Sequence, residues 1–464
     1  MDKAKSILDL RGSAIRIAAI LMVASMLLTG CNLQLTTPGQ ATGTATATSG
    51  AQAGQFTEGL ASSATLTPET VAPTPTPIPT PTPVPQLPVD PIVDSYFGPL
   101  PTASQVVPYK HNEIRALYLG AAANLDSTIR LARETEVNAV VIDLKESNGV
   151  KYRSEVPLAV ENDLVHPLYN LPAVVEKLHA EGIIIIGRIV CFKDPFLAEA
   201  RPDLAIQDKN GNALLYKLEG KKPFVNPYNQ DIWQYNVDIA KEAIAIGVDE
   251  IQFDYVRFPT GGTTTGATPY FGAEGMVPTK VQTINRFLQF ARVQIQDELG
   301  IPLGADVFAI VMISRGDGNR IGQDWASLGL LGLDRVSPMI YPSHYANNSS
   351  GHYTGNGVGQ QVGDTLYTKP DLYPYDVMYK TLIEGQEAAA AAPGYNVAIT
   401  PYLQAFTASY LPDGYYMTYG AHEIREQIRA IEDAGYTEWV LWNSRASYPA
   451  EAFRAKTSES VASN

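Results

Sequence analysis

Four carboxylates stand at or near the ends of short apolar runs in this sequence. Asp143 and Glu146 lie in Val141-Ile142-Asp143-Leu144-Lys145-Glu146, Asp254 in Ile251-Gln252-Phe253-Asp254-Tyr255-Val256-Arg257, and Asp306 in Leu303-Gly304-Ala305-Asp306. A further run carries Arg188. Others end in Met339-Ile340-Tyr341, in Thr400-Pro401-Tyr402-Leu403-Gln404 and in Trp442-Asn443. Carboxyls from separate runs, joined by arginine and aromatic rings, form a set able to open an acetal. One protonates the leaving oxygen while the other attacks the anomeric carbon or activates water, and aromatic faces stack on the apolar faces of sugar rings. Asp254 is therefore expected as nucleophile or base and Asp306 as acid, with Asp143 and Glu146 in reserve. Arg257, three residues after Asp254, is placed to hold a carboxylate ionised or to bind substrate. Contacts to a poly- or oligosaccharide are expected from Asp143, Lys145, Glu146, Arg188, Arg257, Tyr341, Tyr402, Gln404, Trp442 and Asn443.

Each assignment has a plainer counterpart. Asp254 and Arg257 form a structural ion pair in one reading, Asp143 and Lys145 an internal one, and Asp306 is then a hydrogen-bonded core aspartate. Strand periodicity sorts the faces. If Asp254 faces inward, Gln252 shares its face while Phe253 and Tyr255 point outward. Asp143 and Lys145 share a face, as do Thr400, Tyr402 and Gln404.

The elements that must position these groups alternate between short apolar runs and longer helical stretches. The runs are Ile114–Leu119, Ala139–Leu144, Ile183–Phe192, Glu250–Arg257, Leu303–Phe308, Arg335–Tyr341, Val397–Gln404 and Glu438–Asn443. Eight strands, each reached through a helical stretch, predict an α/β (β/α)8 TIM barrel with its site at the C-terminal strand ends. A doubly wound open sheet is the alternative. It calls for a glycine-rich phosphate turn after the first strand, and Leu119-Gly120-Ala121-Ala122-Ala123 lacks one.

The run Gln252-Phe253-Asp254-Tyr255-Val256-Arg257-Phe258-Pro259, with Asp143-Leu144-Lys145, Met339-Ile340-Tyr341-Pro342 and Trp442-Asn443, resembles a bacterial family of glycoside-hydrolase-like barrels distantly similar to the alpha-amylase-type clan. The resemblance covers nearly all of 114–453. It implies an Asp nucleophile on the fourth strand, Asp254, and an acid on the fifth. That acid is usually Glu in the clan, whereas here the fifth strand offers the shorter Asp306.

Residues 1–30 read as a lipoprotein signal peptide. Lys3, Lys5, Arg11 and Arg16 precede the uncharged run Ile17–Leu28, which is too short to span a bilayer as a helix. Leu28-Thr29-Gly30-Cys31 resembles the bacterial lipobox, so Cys31 is the expected lipidation site. The protein is then extracytoplasmic, held to a bacterial membrane by its acyl chains. Residues 31–110 are expected to be a disordered Thr/Pro/Ala-rich tether whose alternating Pro73–Pro85 stretch favours a polyproline II rod. Residues 111–455 form the barrel and 456–464 a disordered tail.

Composition narrows the classes further. The formal charge is −14 with no basic block, so no nucleic-acid partner is expected. With two cysteines, Cys31 and Cys191, and no H-x-H or H-E-x-x-H, neither a disulfide framework nor a metal site is expected, and no cofactor. No G-x-S-x-G elbow supports esterase chemistry. Two functions remain: a lipid-anchored glycoside hydrolase, and a carbohydrate-binding surface lipoprotein whose barrel lacks catalysis.

Overall fold

The computed structural model describes residues 90–350 and 354–456. The signal peptide, Cys31, the proline-rich stretch and residues 457–464 lie outside the described residues. Eight parallel strands close on themselves. They are β1 (Arg115–Gly120), β2 (Ala139–Glu146), β3 (Ile184–Val190), β4 (Glu250–Asp254), β5 (Leu303–Phe308), β6 (Arg335–Ile340), β7 (Ala398–Ile399 and Tyr402–Gln404) and β8 (Trp439–Trp442). Each pairs with its neighbours in chain order, and β1 completes the ring with β8 and β2. The expected (β/α)8 barrel is therefore observed.

Strand alternation builds two apolar layers. Ala116, Ala139, Val141, Ile186 and Val440 fill the barrel interior, whereas Leu117, Val140, Ile142 and Ile185 join the layer beneath the helices. Helices α1 (Leu125–Glu134), α2 (Leu171–His179), α3 (Gln230–Ile246), α4 (Lys280–Arg292), α5 (Pro374–Ala390) and α6 (Ala421–Asp433) form the outer ring. Three short helical pieces stand between β5 and β6, and the last helix is reduced to the 3-10 turn Ala450–Ala452. Helix α3 stops at Gly247, whose φ of 117° suits glycine and lets its N–H cap the carbonyls of Ala243 and Ile244.

Below the mouth a hydrogen-bonded polar layer crosses the interior. Tyr402 Oη donates to Gln252 Oε1 (2.7 Å), and Gln252 Nε2 donates to Ser337 Oγ (2.9 Å). At the N-terminal strand ends, Arg335 meets Glu250 (3.1 Å), Asp334 (3.0 Å) and Glu438 (3.5 Å) and donates to the Asn112 carbonyl. His111 bridges Asp334 and Glu438 beside it.

Two expectations change. The segment just before residue 110 is packed rather than tethered: Pro91–Phe97 is helical, Val93 and Phe97 are buried, and Phe97 lies 4.7 Å from Trp233. Asp94 pairs with Arg286, and Asp90 accepts from Gln282, both on α4. The apolar Val93 and Phe97, spaced four apart on one helical face, supply the reason. On β2, the pairing with β3 slips between Asp143 and Lys145. This bulge breaks the alternation, so the two side chains leave on opposite sides of the sheet.

Candidate active site

The cleft opens at the C-terminal ends of the strands and encloses about 600 Å³ including its mouth. Asp254, Asp306 and Arg188 line one part of it, and Tyr118, Tyr341, His344, Tyr402 and Trp442 much of the rest. Arg188 organises the acidic side. Its Nε and Nη2 donate to Asp254 Oδ2 (3.0 and 2.6 Å), and its Nη1 donates to Asp143 Oδ1 (2.6 Å) and to Glu146. The second Asp143 oxygen accepts from Tyr118 Oη (2.6 Å).

Asp254 is the last residue of β4, and the chain turns sharply after it. Tyr255 has φ 52°, a left-handed conformation unusual for a bulky residue and of the sort that concentrates at functional sites. The turn brings the Tyr255 N–H onto Asp254 Oδ1 (2.5 Å). It also carries the Tyr255 ring to the cleft wall, between Lys193 (4.8 Å) and Arg257 (4.9 Å), instead of outward toward the helices as alternation alone predicts.

Asp306 occupies the matching place on β5. The pairing of Phe253 with Ala305 puts Asp254 and Asp306 side by side on adjacent strands. Asp306 is 1% exposed, and its Oδ1 has no hydrogen-bond partner. Burial, then the charges of Asp254 and Asp143, push its carboxyl well above the usual range, with Arg188 opposing them. Its surroundings favour the protonated form, and beside it a guanidinium clamps the carboxyl of Asp254. Asp143 is pushed up to about 6, mainly by burial and by Glu146, against Arg188. In Glu146 the nearby Arg188 charge and hydrogen bond overcome burial and lower it.

Several expected site residues lie elsewhere. Lys145 is fully buried outside the barrel, paired with Asp194 (2.8 Å) and donating to Asn236 on α3 (3.3 Å), because the β2 bulge turns it away from Asp143. Arg257 serves Glu219 (2.9 Å), not Asp254, since the reversed backbone at Tyr255 carries it past the strand end. Gln404 is buried among loops, accepting from Ser343 and donating to Asp371 (2.9 Å). Asn443 donates to the carbonyls of Ala405 and Ser447. Arg188, Tyr341, Tyr402 and Trp442 do line the cleft with the two aspartates, and Asp143 and Glu146 stand behind Arg188. Sequence reasoning missed Tyr118 and His344. Tyr118 shares a face with Ala116 by simple alternation, so its inward position was legible; His344 lies beyond the strand, where alternation gives no guide. Among the described residues no group of three or more His, Cys, Asp or Glu is arranged to hold a metal ion.

Residues 114–448 match the family described as "Putative glycosyl hydrolase domain". No curated protein matches the chain. Among solved structures, a hypothetical protein from Ruminiclostridium thermocellum ATCC 27405 is 38% identical over 41% of this chain and 97% of that one, with a TM-score of 0.37. The PgaB (BpsB) glycoside hydrolase domain from Bordetella bronchiseptica is 12% identical over 75% of this chain and 100% of that one, with a TM-score of 0.50. An alpha-galactosidase from Thermus thermophilus is 14% identical over 75% and 61%, with a TM-score of 0.43. At such low identity the likeness to the Bordetella domain concerns the barrel fold. The family match spans all eight strands and both cleft aspartates, and the chain belongs to this glycosyl hydrolase family.

Proposed function

We propose that the protein hydrolyses glycosidic bonds in a poly- or oligosaccharide with Asp254 and Asp306 as the working pair. The observation that carries this reading is their contrast: neighbours on adjacent strands, in one cleft, Asp254 clamped by the Arg188 guanidinium and Asp306 buried with an unpaired oxygen. Divergent environments for two carboxyls mark an acid and its partner. Asp306 gives its proton to the glycosidic oxygen as the Asp254 carboxylate attacks the anomeric carbon. Asp306, now ionised, takes a proton from water, which cleaves the glycosyl ester and frees Asp254. Arg188 and the Tyr255 N–H hold the Asp254 carboxyl in place and aim it. A nucleophile on β4 and an acid on β5 follow the order of the alpha-amylase-type clan that the sequence resembles.

Neighbouring parallel strands lie about 4.8 Å apart. That spacing favours the retaining arrangement, at about 5–5.5 Å between carboxyls, over the inverting one at about 6.5–9.5 Å. We also propose that Cys31 carries lipid and that the proline-rich stretch holds the barrel away from a bacterial membrane, outside the cytoplasm. The basic n-region, Ile17–Leu28 and Leu28-Thr29-Gly30-Cys31 support this. Among the described residues no helix is long and apolar enough to cross a membrane.

The test is a panel of polysaccharides and aryl glycosides assayed with wild type, Asp254→Asn and Asp306→Asn. Each substitution is expected to lower turnover by about 10²-fold or more. Activity surviving both would overturn the assignment. Cys31→Ser is expected to move the protein out of the membrane fraction, and unchanged partition would refute the anchor.

A further inference from the structure

Besides Asp306 Oδ1, a second polar atom in the cleft wall has no hydrogen-bond partner. His344 closes the 3-10 turn Pro342–His344 after β6, and its ring stands 4.9 Å from Tyr341 at 88° and 6.2 Å from Phe406. Trp442 completes the group, 5.2 Å from Phe406 and 6.1 Å from Tyr341. His344 is 8% exposed, yet its buried Nε2 has no hydrogen-bond partner. A buried polar atom left unpaired in a cleft is explained by a ligand that supplies its partner. We propose that His344 is a substrate-contacting residue whose Nε2 binds a hydroxyl of an uncharged sugar laid against the Tyr341–Trp442 wall. This rests on the glycosidase reading and adds the class of sugar to it.

Two observations weigh against an acidic sugar. Burial pushes His344 down to about 3, so the imidazole is neutral and brings no positive charge to meet a carboxylate, while it can still exchange a hydrogen bond with a hydroxyl. Arg188 is the only arginine or lysine among the described residues lining the cleft. Four of its five N–H donors already serve Asp254, Asp143 and Glu146, three carboxyls against one cation. A uronate would meet those carboxylates, and among the described residues lining the cleft no second lysine or arginine offsets its charge.

The experiment is calorimetric titration of the full chain with neutral oligosaccharides and with the matched uronic-acid oligomers. Neutral sugars are expected to bind, and uronates about tenfold more weakly or worse. His344→Phe should weaken neutral-sugar binding by about tenfold or more, because the hydroxyl loses its partner. His344→Gln, whose Nε2 reaches the place of the imidazole Nε2, should recover most of the loss. His344→Asn, whose amide sits nearer the Nδ1 position, should not. If His344→Phe does not fold, the contrast between Gln and Asn still decides. Equal binding by His344→Phe and wild type, equal binding by the Gln and Asn variants, equal binding of uronates and neutral sugars, or no neutral sugar bound by wild type would each overturn the proposal. The glycosidase reading stands or falls separately, on turnover by wild type against Asp254→Asn.

Discussion

Replacing Arg188 with Met removes the cation that three buried carboxylates share, and the consequence can be worked through. Asp143, Glu146 and Asp254 are each within hydrogen-bonding distance of the guanidinium, and none is more than 8% exposed. An opposing charge at such range lowers a carboxyl pKa by about 1–3 units. Removing one partner of a buried pair costs about 3–5 kcal/mol by mutagenesis. The sign follows from proton counting. Burial holds Asp143 at about 6 even beside the guanidinium, and Glu146 is lowered against burial by that charge, so without it the folded chain holds more protons above about pH 4 than the unfolded one. Stability then falls as pH rises. Denaturant melts of wild type and Arg188→Met at about pH 5 and about pH 8 should show a deficit that grows with pH. A deficit below about 1 kcal/mol, or one of equal size at both pH values, would refute the account of Arg188 as the shared counterion.

Three further outcomes are expected. Activity should persist above the pH at which an ordinary aspartate ionises and fall as pH rises through the raised value of Asp306; in Asp306→Asn, assayed on substrates with an activated leaving group, that basic limb should vanish, and its survival would reassign the acid. Proton NMR of the first-formed product should show retained anomeric configuration, and inversion would place the working carboxyls farther apart than adjacent strands imply. At the barrel base, hydrogen bonds to Asp334 and Glu438 raise His111 to about 10, so its contribution to stability is complete below about pH 6.5 and is lost as pH rises through about 10. The half-exposed ring keeps the effect modest. His111→Gln should melt below wild type near pH 6 and converge with it toward pH 10, and a constant gap would exclude the ion pair as its cause.

Most of the fold was legible because parallel strands buried on both faces leave continuous apolar runs, and all eight strands begin within about a residue of their predicted starts, although the fourth stops early at Asp254 and the seventh is broken after Ile399. Asp254, Asp306, Arg188 and Trp442 were legible for the same reason, since alternation along unbroken strands points them inward. Legibility failed where the backbone departs from alternation. The slip at Leu144 turns Lys145 outward, and the left-handed Tyr255 carries Arg257 to Glu219, a residue far away in sequence that no local pattern links to it. Gln404 and Asn443 lie where strands dissolve into loops, and their side chains hold those loops together. That one guanidinium holds three carboxylates is a fact of closure, visible only once β2, β3 and β4 are neighbours.

The stopper of Arg335, Glu250, Glu438 and Asp334, with the Gln252–Ser337–Tyr402 layer above it, makes the cleft a well with a floor. A polymer cannot be threaded along the axis like a rope through a pulley. Whatever is cut leaves by the door through which the next chain arrives, so released fragments and fresh substrate queue at the same opening.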